Sequence, residues 1–317
     1  MAKYEQILLA TDFSEQAEKA LVEAVRVAAR HGAELHVLHV DVSAQQNKEG
    51  FENHSHWDHT GSMAQESMDA LGRDVTQYYR NTVLGIMRDS SASAGILRYV
   101  TEKCIDLIVV GTHGRRPLSE LFLGSVTQEV VRNSPISVLV VGYQVAAEHP
   151  GSGKFCILAP VDFSAGSTSA LIHAGKLAAE RGAHLIAMHV VDSARLPHEA
   201  PRSPGREEQR ARDELERYVA DAHLPIPAET VVSIGHADDA VLDLAEKRNV
   251  GLIVIAPHSH STLDRLLHGS VSNQLLRGAR CPVLVHHDRD ARRPAIGAGS
   301  IQGLSRVSVQ PPSAVFR

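Results

Sequence analysis

The sequence repeats itself, and this repeat constrains the fold more than any other feature. Residues 157–164 (ILAPVDFS) match residues 7–14 (ILLATDFS) at an offset of 150 positions. Further along, the offset is 145, where 252–255 (LIVI) match 107–110 (LIVV). Because 317 residues are enough for two domains of ordinary size, we interpret the chain as two copies of one domain.

The boundaries of the copies follow from where the apolar runs stop and start again. We predict a first domain over residues 1–145, a linker over 146–153 and a second domain over 154–288. Residues 289–317 are rich in Gly, Ser, Pro and Arg and have no sustained period, so we expect a disordered tail there.

Within each copy, short apolar runs alternate with segments that carry apolar residues at helical spacing. In the first copy this predicts strands at 5–11, 34–40, 83–87, 107–110 and 137–141, with helices that begin near Ser14, Gly61, Ala92 and Gly124. Aromatic residues make up only 4% of the chain, so the core must consist of Val, Ile, Leu and Ala. The alternation predicts an α/β fold, namely two tandem open parallel five-stranded sheets with flanking helices.

The stretch 107–131 (LIVVGTHGRRPLSELFLGSVTQEVV) combines a buried strand with a glycine-rich turn and a second glycine nine residues later. Gly111 and Gly114 are separated by two residues, and Gly124-Ser125 opens the following helix. Glycine lets a backbone approach a phosphate closely, and the N–H groups of a helix start favour an anion. The stretch is not a Walker A loop, because no Gly-Lys-Ser/Thr follows.

Asp12 follows the first strand directly and precedes a Ser at a helix start. In open parallel sheets, ligands bind at the carboxyl ends of strands, where the strand order reverses. Two interpretations of Asp12 remain open from its position alone. It contacts a ligand at this edge, or it only helps Ser14 to start the first helix.

Taken together, strand, Gly-x2-Gly, nine residues and Gly-Ser resemble the nucleotide-binding signature of the universal stress protein family, in its ATP-binding branch. The resemblance covers residues 3–142 and 154–287, so the doubled chain resembles a tandem universal stress protein. It implies the adenine nucleotide α-hydrolase-like fold, with strand order 3-2-1-4-5 in each domain.

The resemblance also implies ATP as a ligand, with Mg²⁺ or Mn²⁺ on its phosphates. It places around the adenosine end Ala10, Thr11, Asp12 and Val40. It places at the ribose and phosphates, largely through backbone N–H groups, Gly111, Gly114, Gly124, Ser125 and Val126. Weaker candidates in the same loop are Thr112, His113 and Arg115. Two alternatives to ligand binding stay open. The glycines serve only tight turns, and His113 is a solvated loop residue.

The second copy departs from the signature. Ala256 and Ser259 stand where the first copy has Gly111 and Gly114, and Pro257 lies between them. Alanine adds a Cβ where backbone must approach a ligand, and proline removes one N–H. We therefore expect a degenerate nucleotide motif and a structural role for the second domain.

In the implied strand order, the fifth strand lies at the sheet edge and is strongly apolar in both copies. The exposed edges of residues 138–141 (VLVV) and 283–285 (VLV) are therefore expected to be covered by another part of the protein or by a partner. Members of the family commonly pair through this edge, which implies a pseudo-dimer of the two domains within the chain. A homodimer of two chains is a further possibility.

One cluster of potential metal ligands stands apart from these motifs. It consists of His54, His56, Asp58 and His59. Imidazole and carboxylate groups suit zinc or nickel. However, the segment is predicted to be an irregular loop, and with 19 His in the chain we regard these residues as weak candidates only.

Composition excludes several classes of protein. The net charge of −5 and the absence of a basic stripe argue against nucleic-acid binding. No secretory signal and no apolar run near the ~20 residues of a membrane span are present, so we expect a cytoplasmic protein without a membrane partner. Each of the 3 cysteines neighbours an apolar segment, which predicts buried thiols.

The favoured hypothesis is a stress-response protein that binds ATP as a regulatory ligand, with slow or no hydrolysis. One alternative is an ATPase or nucleotidyl-transfer enzyme in which Asp12 or His113 assists. Another is a nucleotide-free scaffold that binds a protein, lipid or metal through residues 41–60 or 191–204.

Overall fold

The computed structural model describes residues 4–42, 57–112, 123–142, 144–145, 154–192, 204–257, 270–288 and 305–307. Within these ranges, the side chains of residues 57–62, 204, 270–272 and 305–307 are not described. The chain forms two compact units. The first unit contains Tyr4–Val110 and Pro294–Arg317, and the second contains Met1–Lys3 and Gly111–Arg293.

The described residues of the first unit form a mainly parallel sheet and three helices. Its elements are β1 (Gln6–Ala10), α1 (Glu15–His31), β2 (Glu34–Asp41), α2 (Trp57–Tyr78), β3 (Thr82–Arg88), α3 (Ala92–Glu102), β4 (Leu107–Gly111, except for its last residue) and β11 (Ser305–Val307). β1 pairs in parallel with both β2 and β4, β2 pairs in parallel with β3, and β11 pairs antiparallel with β3. β1 and β4 are fully buried along most of their length, as expected for central strands of a parallel sheet.

The second unit begins where β4 ends. Its elements are α4 (Ser125–Asn133), β5 (Val138–Val141), β6 (Cys156–Pro160), α5 (Ala165–Arg181), β7 (His184–Asp192), α6 (Pro204–Asp221), β8 (Glu229–Gly235), α7 (Ala237–Lys247), β9 (Leu252–Ile255), α8 (Ser270–Gly278) and β10 (Val283–Val285). Parallel pairs join β8 to β7, β7 to β6, β6 to β9 and β9 to β10. β5 pairs antiparallel with β10, in the register Val283↔Val140.

The observed topology confirms the predicted fold class, a mixed α/β fold with a mostly parallel open sheet and flanking helices. The second repeat has the order β8-β7-β6-β9-β10, which is the predicted order 3-2-1-4-5. The first repeat has the order β3-β2-β1-β4. Thr112, the residue after β4, then donates its N–H to the Val141 carbonyl at the end of β5 (3.1 Å).

The first helix of each repeat begins and ends as the sequence predicts. Ser14 caps α1 by accepting the Ala17 N–H, and Gly32 ends the helix with a left-handed φ of 64°. In α5, Ser164 caps the helix start by accepting the Ser167 N–H, and Gly182 ends the helix with a φ of 60°. The repeated caps fix the entry of each helix at the carboxyl end of its preceding strand.

Three local predictions differ from the structure. α2 begins at Trp57, four residues before the predicted start. Cys104 is exposed rather than buried, since it lies in the turn that follows α3, whereas Cys156 and Cys281 are buried. In the tail expected to be disordered, residues 305–307 form β11, since the outer edge of β3 offers backbone hydrogen bonds to a strand.

No helix in the described part of the chain is long and apolar enough to cross a membrane.

Candidate functional site

The loop after β1 places Asp12 at the carboxyl edge of the first unit's sheet. Thr11 is buried and donates its N–H to the Leu38 carbonyl of β2 (2.9 Å). Asp12 Oδ1 accepts the Ser14 N–H (3.1 Å), and the turn between them puts Phe13 at a φ of 61°. Asp12 therefore helps to start α1. Its contact with a ligand stays a prediction.

His39 supports this loop from the neighbouring strand. Its Nδ1–H donates to the Thr11 carbonyl (2.8 Å), and its ring lies 4.6 Å from the Phe13 ring between centroids. The second repeat reproduces both contacts, because His189 Nδ1–H donates to the Val161 carbonyl (2.8 Å) and its ring lies 4.4 Å from that of Phe163. Sequence reasoning missed both histidines, although their spacing of 150 residues was a usable signal.

Val40 lies one residue before the end of β2 and is buried, with 8% of its surface exposed. It pairs in register with Met87 of β3, and Ala10 at the end of β1 pairs with Leu38. Ala10, Thr11, Asp12 and Val40 thus all lie at the carboxyl ends of two adjacent parallel strands.

The end of β4 is tied to the start of α4. Thr127 Oγ1 donates to the Gly111 carbonyl (2.7 Å), and the Gly124 N–H donates to the Thr112 carbonyl (2.8 Å). Thr112 is 1% exposed, and its own N–H is used by Val141. The backbone groups of Thr112 and the N–H of Gly124 are therefore engaged within the fold. Thr127 is a second functional candidate that sequence reasoning missed.

Helix α4 starts without a side-chain cap, unlike α1 and α3. Gly124 is its N-cap, and the first N–H bonded within the helix is that of Gln128, to the Gly124 carbonyl (2.9 Å). The N–H groups of the preceding turn have no acceptor inside an α-helix. Ser125 and Val126 are exposed there. This start of α4 is consequently suited to an anion.

The other predicted residues of this loop, His113, Gly114 and Arg115, lie outside the described residues. The same holds for His54 and His56 of the possible metal cluster. Asp58 and His59 lie in the first turn of α2, without described side chains. Among the described side chains, no group of three His, Cys, Asp or Glu is placed to hold a metal ion.

The equivalent edge of the second repeat is filled by its own residues. A Cβ built on Gly166, in the first turn of α5, would lie 3.2 Å from the Cβ of Ala256, so the end of β9 packs closely against that turn. The Tyr218 hydroxyl of α6 lies 2.6 Å from Thr168 Oγ1 and 3.2 Å from the Ser164 carbonyl oxygen. Tyr218 and Ala256 thus lie against the first turn of α5, the counterpart of α1 in the first repeat.

Known proteins resemble this chain over nearly its whole length. A universal stress protein of Mycolicibacterium smegmatis is 26% identical over 300 residues, which cover 89% of this chain and 97% of that protein. The crystal structure of a universal stress protein from Archaeoglobus fulgidus has a TM-score of 0.64 and 20% identity, and covers 92% of this chain and 99% of its own. That likeness concerns the fold.

A further universal stress protein, solved in complex with cAMP, is 25% identical and covers 43% of this chain and 98% of its own, with a TM-score of 0.33. A sequence profile of the universal stress protein family matches residues 3–142 and again residues 156–287. Because these two matches include most of the chain, the protein belongs to the universal stress protein family and carries two of its domains in tandem.

Proposed function

We propose that the first repeat binds ATP, with Mg²⁺ or Mn²⁺ on its phosphates, as a regulatory ligand of a cytoplasmic stress-response protein. The observation that carries this proposal is the start of α4. This helix begins at Gly124-Ser125 without a side-chain cap and is hydrogen-bonded to the glycine that ends β4. Uncapped N–H groups and the positive end of the helix dipole both favour a phosphate.

The hydrogen bonds of this region narrow the choice of phosphate-binding groups. Thr112 and Gly124 use their N–H groups within the fold. The donors proposed for the phosphates are therefore the backbone N–H groups of Ser125 and Val126, in the exposed first turn of α4.

The adenosine end is proposed to lie at the carboxyl ends of β1 and β2. β1 and β4 are parallel neighbours in the register Leu9↔Val109, so both strands end at the same edge of the sheet. Asp12 offers a carboxylate to hydrogen-bond donors such as ribose hydroxyls, and Val40 offers an apolar surface to a base.

The metal ion is proposed to accompany the nucleotide. Mg²⁺ on nucleotides is usually held by phosphate oxygens, water and at most two carboxylates, so this proposal requires no protein site of three ligating side chains. When bound, the ion would neutralise phosphate charge. The chain's own contribution is to orient the nucleotide through the backbone of α4 and the loop after β1.

The pairing of β5 with β10 supports a further part of the proposal. These two strands are the fifth strands of their repeats, and they join antiparallel through Val140↔Val283 and Leu139↔Leu284. All four side chains are nearly or fully buried. We infer that the two repeats associate through this edge as an intrachain pseudo-dimer.

The proposal is tested by calorimetric titration of Mg-ATP into the wild type and two variants of one residue. Ser125→Pro removes the first N–H of α4 but keeps the helix, because proline is favoured at this position and Gly124 already has a ψ of 141°. Ser125→Ala removes only the hydroxyl. A lost hydrogen bond to a charged phosphate predicts at least about tenfold weaker binding by Ser125→Pro.

Ser125→Ala separates backbone from side-chain recognition, and we expect its affinity to stay close to that of the wild type. Absence of Mg-ATP binding by the wild type would reject the nucleotide proposal and favour the scaffold hypothesis. Rapid turnover of bound ATP would instead favour the enzyme hypothesis over a regulatory ligand.

A further inference from the structure

Helix α3 approaches the end of β2 so closely that only glycine fits at the contact. Gly95 is buried in the first half of α3. A Cβ built on it would lie 2.7 Å from Val40 Cγ1, 3.0 Å from Val40 Cγ2 and 3.1 Å from Asp89 Cβ. Carbon atoms in contact normally lie about 3.5–4.0 Å apart. The backbone of α3 therefore packs directly onto the methyl groups of Val40.

Space, and not backbone conformation, is what requires glycine here. The φ of Gly95 is not positive, and its N–H makes the ordinary helical bond to the Ser91 carbonyl (3.0 Å). Glycine is also among the least favourable residues inside a helix. Its presence in α3 is thus explained by the contact with Val40.

Val40 has no alternative position that would relieve an added methyl group. Both of its methyl groups lie within 3.0 Å of the built Cβ, so a rotation about χ1 keeps at least one of them near it. A β-branched side chain is also restricted at χ1. A side chain at position 95 must therefore displace Val40, α3 or the end of β2.

The second repeat does not have glycine at this contact. Ala240 of α7 stands at the position of Gly95, and Val190 of β7 stands at the position of Val40. Val190 is only half-buried, whereas Val40 is buried. The connection before the helix also differs, since residues 89–91 join β3 to α3 but His236 alone joins β8 to α7. The contact belongs to the repeat that carries the glycine signature.

We propose that Gly95 is a positioning residue of the nucleotide site: it lets α3 hold Val40 in place at the carboxyl end of β2, where Val40 contacts the base. This inference rests on the proposed binding of ATP by the first repeat. Gly95 itself does not touch the ligand and acts only through Val40.

The test is a double-mutant cycle with the variants Gly95→Ala, Val40→Ala and their combination, titrated with Mg-ATP and unfolded with urea in parallel. Gly95→Ala is expected to weaken Mg-ATP binding on the order of tenfold, because overpacking shifts Val40. Val40→Ala removes the two methyl groups that lie nearest to the new Cβ and leaves Asp89 Cβ, at 3.1 Å, as its remaining close neighbour. In that background, Gly95→Ala is expected to change the dissociation constant less than about twofold.

Gly205→Ala serves as the matched control, because a Cβ at Gly205 of α6 meets no atom within 4 Å. It is expected to bind Mg-ATP like the wild type. Equal weakening by Gly95→Ala in both backgrounds would overturn the inference, as would unchanged binding by Gly95→Ala alone. If the wild type does not bind Mg-ATP, the proposed function fails. The urea cycle then still measures whether positions 40 and 95 are coupled.

Discussion

At the scale of single residues, His39 is the side chain that holds the loop after β1 in place. Its imidazole N–H satisfies the carbonyl of buried Thr11, and leaving a buried carbonyl unsatisfied costs about 1–3 kcal/mol. We predict that His39→Ala destabilises the first unit by that amount and also weakens Mg-ATP binding, because the Asp12 loop loses its support. Urea unfolding and calorimetry measure the two effects separately.

His189→Ala is the matched control for this prediction, because His189 makes the same bond to the Val161 carbonyl in the second repeat. It should lower stability by a similar amount and leave the affinity for Mg-ATP unchanged. His39→Asn should retain most of the affinity, since the amide offers a donor close to the position of Nδ1. Equal loss of binding in His39→Ala and His189→Ala would contradict a local role for His39.

The candidate site was only partly predictable from these residues. That Asp12 follows a strand and that Gly124-Ser125 opens a helix follow from local pattern. Which N–H groups remain available for a phosphate depends on long-range pairing, such as the bond from Thr112 to Val141. The role of His39 likewise depends on the register between β1 and β2, which local periodicity does not determine.

At the scale of elements, two histidines join α5 to the end of β10. The rings of His173 and His286 are stacked, with centroids 4.2 Å apart and planes inclined by 12°. His286 also lies within hydrogen-bond distance of Ser137 (3.1 Å) and Ser169 (3.3 Å). Ser137 directly precedes β5, so the pair lies beside the antiparallel join of β5 and β10.

This histidine pair predicts a loss of stability in mild acid. Burial, with the neighbouring His286 and Lys176, lowers the pKa of His173 from 6.5 to about 3. Burial also lowers the pKa of His286 to about 4, against the opposing effect of Asp288. As the pH falls, these imidazoles become protonated in the unfolded chain at a higher pH than in the fold. The free energy of unfolding is therefore greatest above about pH 7 and decreases as the pH drops below 6.5.

The expected loss between pH 7 and pH 5 is on the order of 2 kcal/mol for each imidazole. Urea unfolding of the second unit at the two pH values measures it. His173→Phe keeps a ring in the stack but removes one titrating group, so its stability should depend less steeply on pH. If wild type and His173→Phe lost equal stability between pH 7 and pH 5, the assignment to this pair would be wrong.

The strands and most helices were predictable because each carries its own apolar period, and α1 also begins at a capping serine and ends at a glycine. The start of α2 was not predictable, since residues 57–60 carry no apolar period. β11 was not predictable either, because residues 305–307 form a strand by pairing with the edge of β3, which is far away in the sequence.

At the scale of the whole molecule, the differences between the repeats predict one nucleotide per chain. In the second repeat, Tyr218 and Ala256 lie against the first turn of α5, the counterpart of α1, and Ala256, Pro257 and Ser259 replace the Gly-x2-Gly of the first repeat. Calorimetry should therefore give a stoichiometry near one. A ligand at 100 times its Kd should raise stability by about 2.7 kcal/mol. Two equivalent sites would contradict the structural role assigned to the second repeat.

The compact units of the molecule do not coincide with its repeats, and this difference is testable. α4 and β5 belong to the first repeat in sequence but to the second unit in the fold, where β5 pairs with β10. Proteins open locally in contiguous cooperative units, and we predict that the second unit is one of them. We therefore expect α4 and β5 to gain and lose protection from hydrogen exchange together with β6–β10.

Two equivalent leucines provide the matched variants. Leu8 of β1 and Leu158 of β6 are both fully buried, and Leu→Ala at such sites costs about 2–5 kcal/mol. Leu158→Ala should speed exchange in β6–β10 and equally in α4 and β5. Leu8→Ala should speed exchange in β1–β3 and leave α4 and β5 protected. If α4 and β5 instead responded to Leu8→Ala alone, they would unfold with their own repeat, which would contradict their assignment to the second unit.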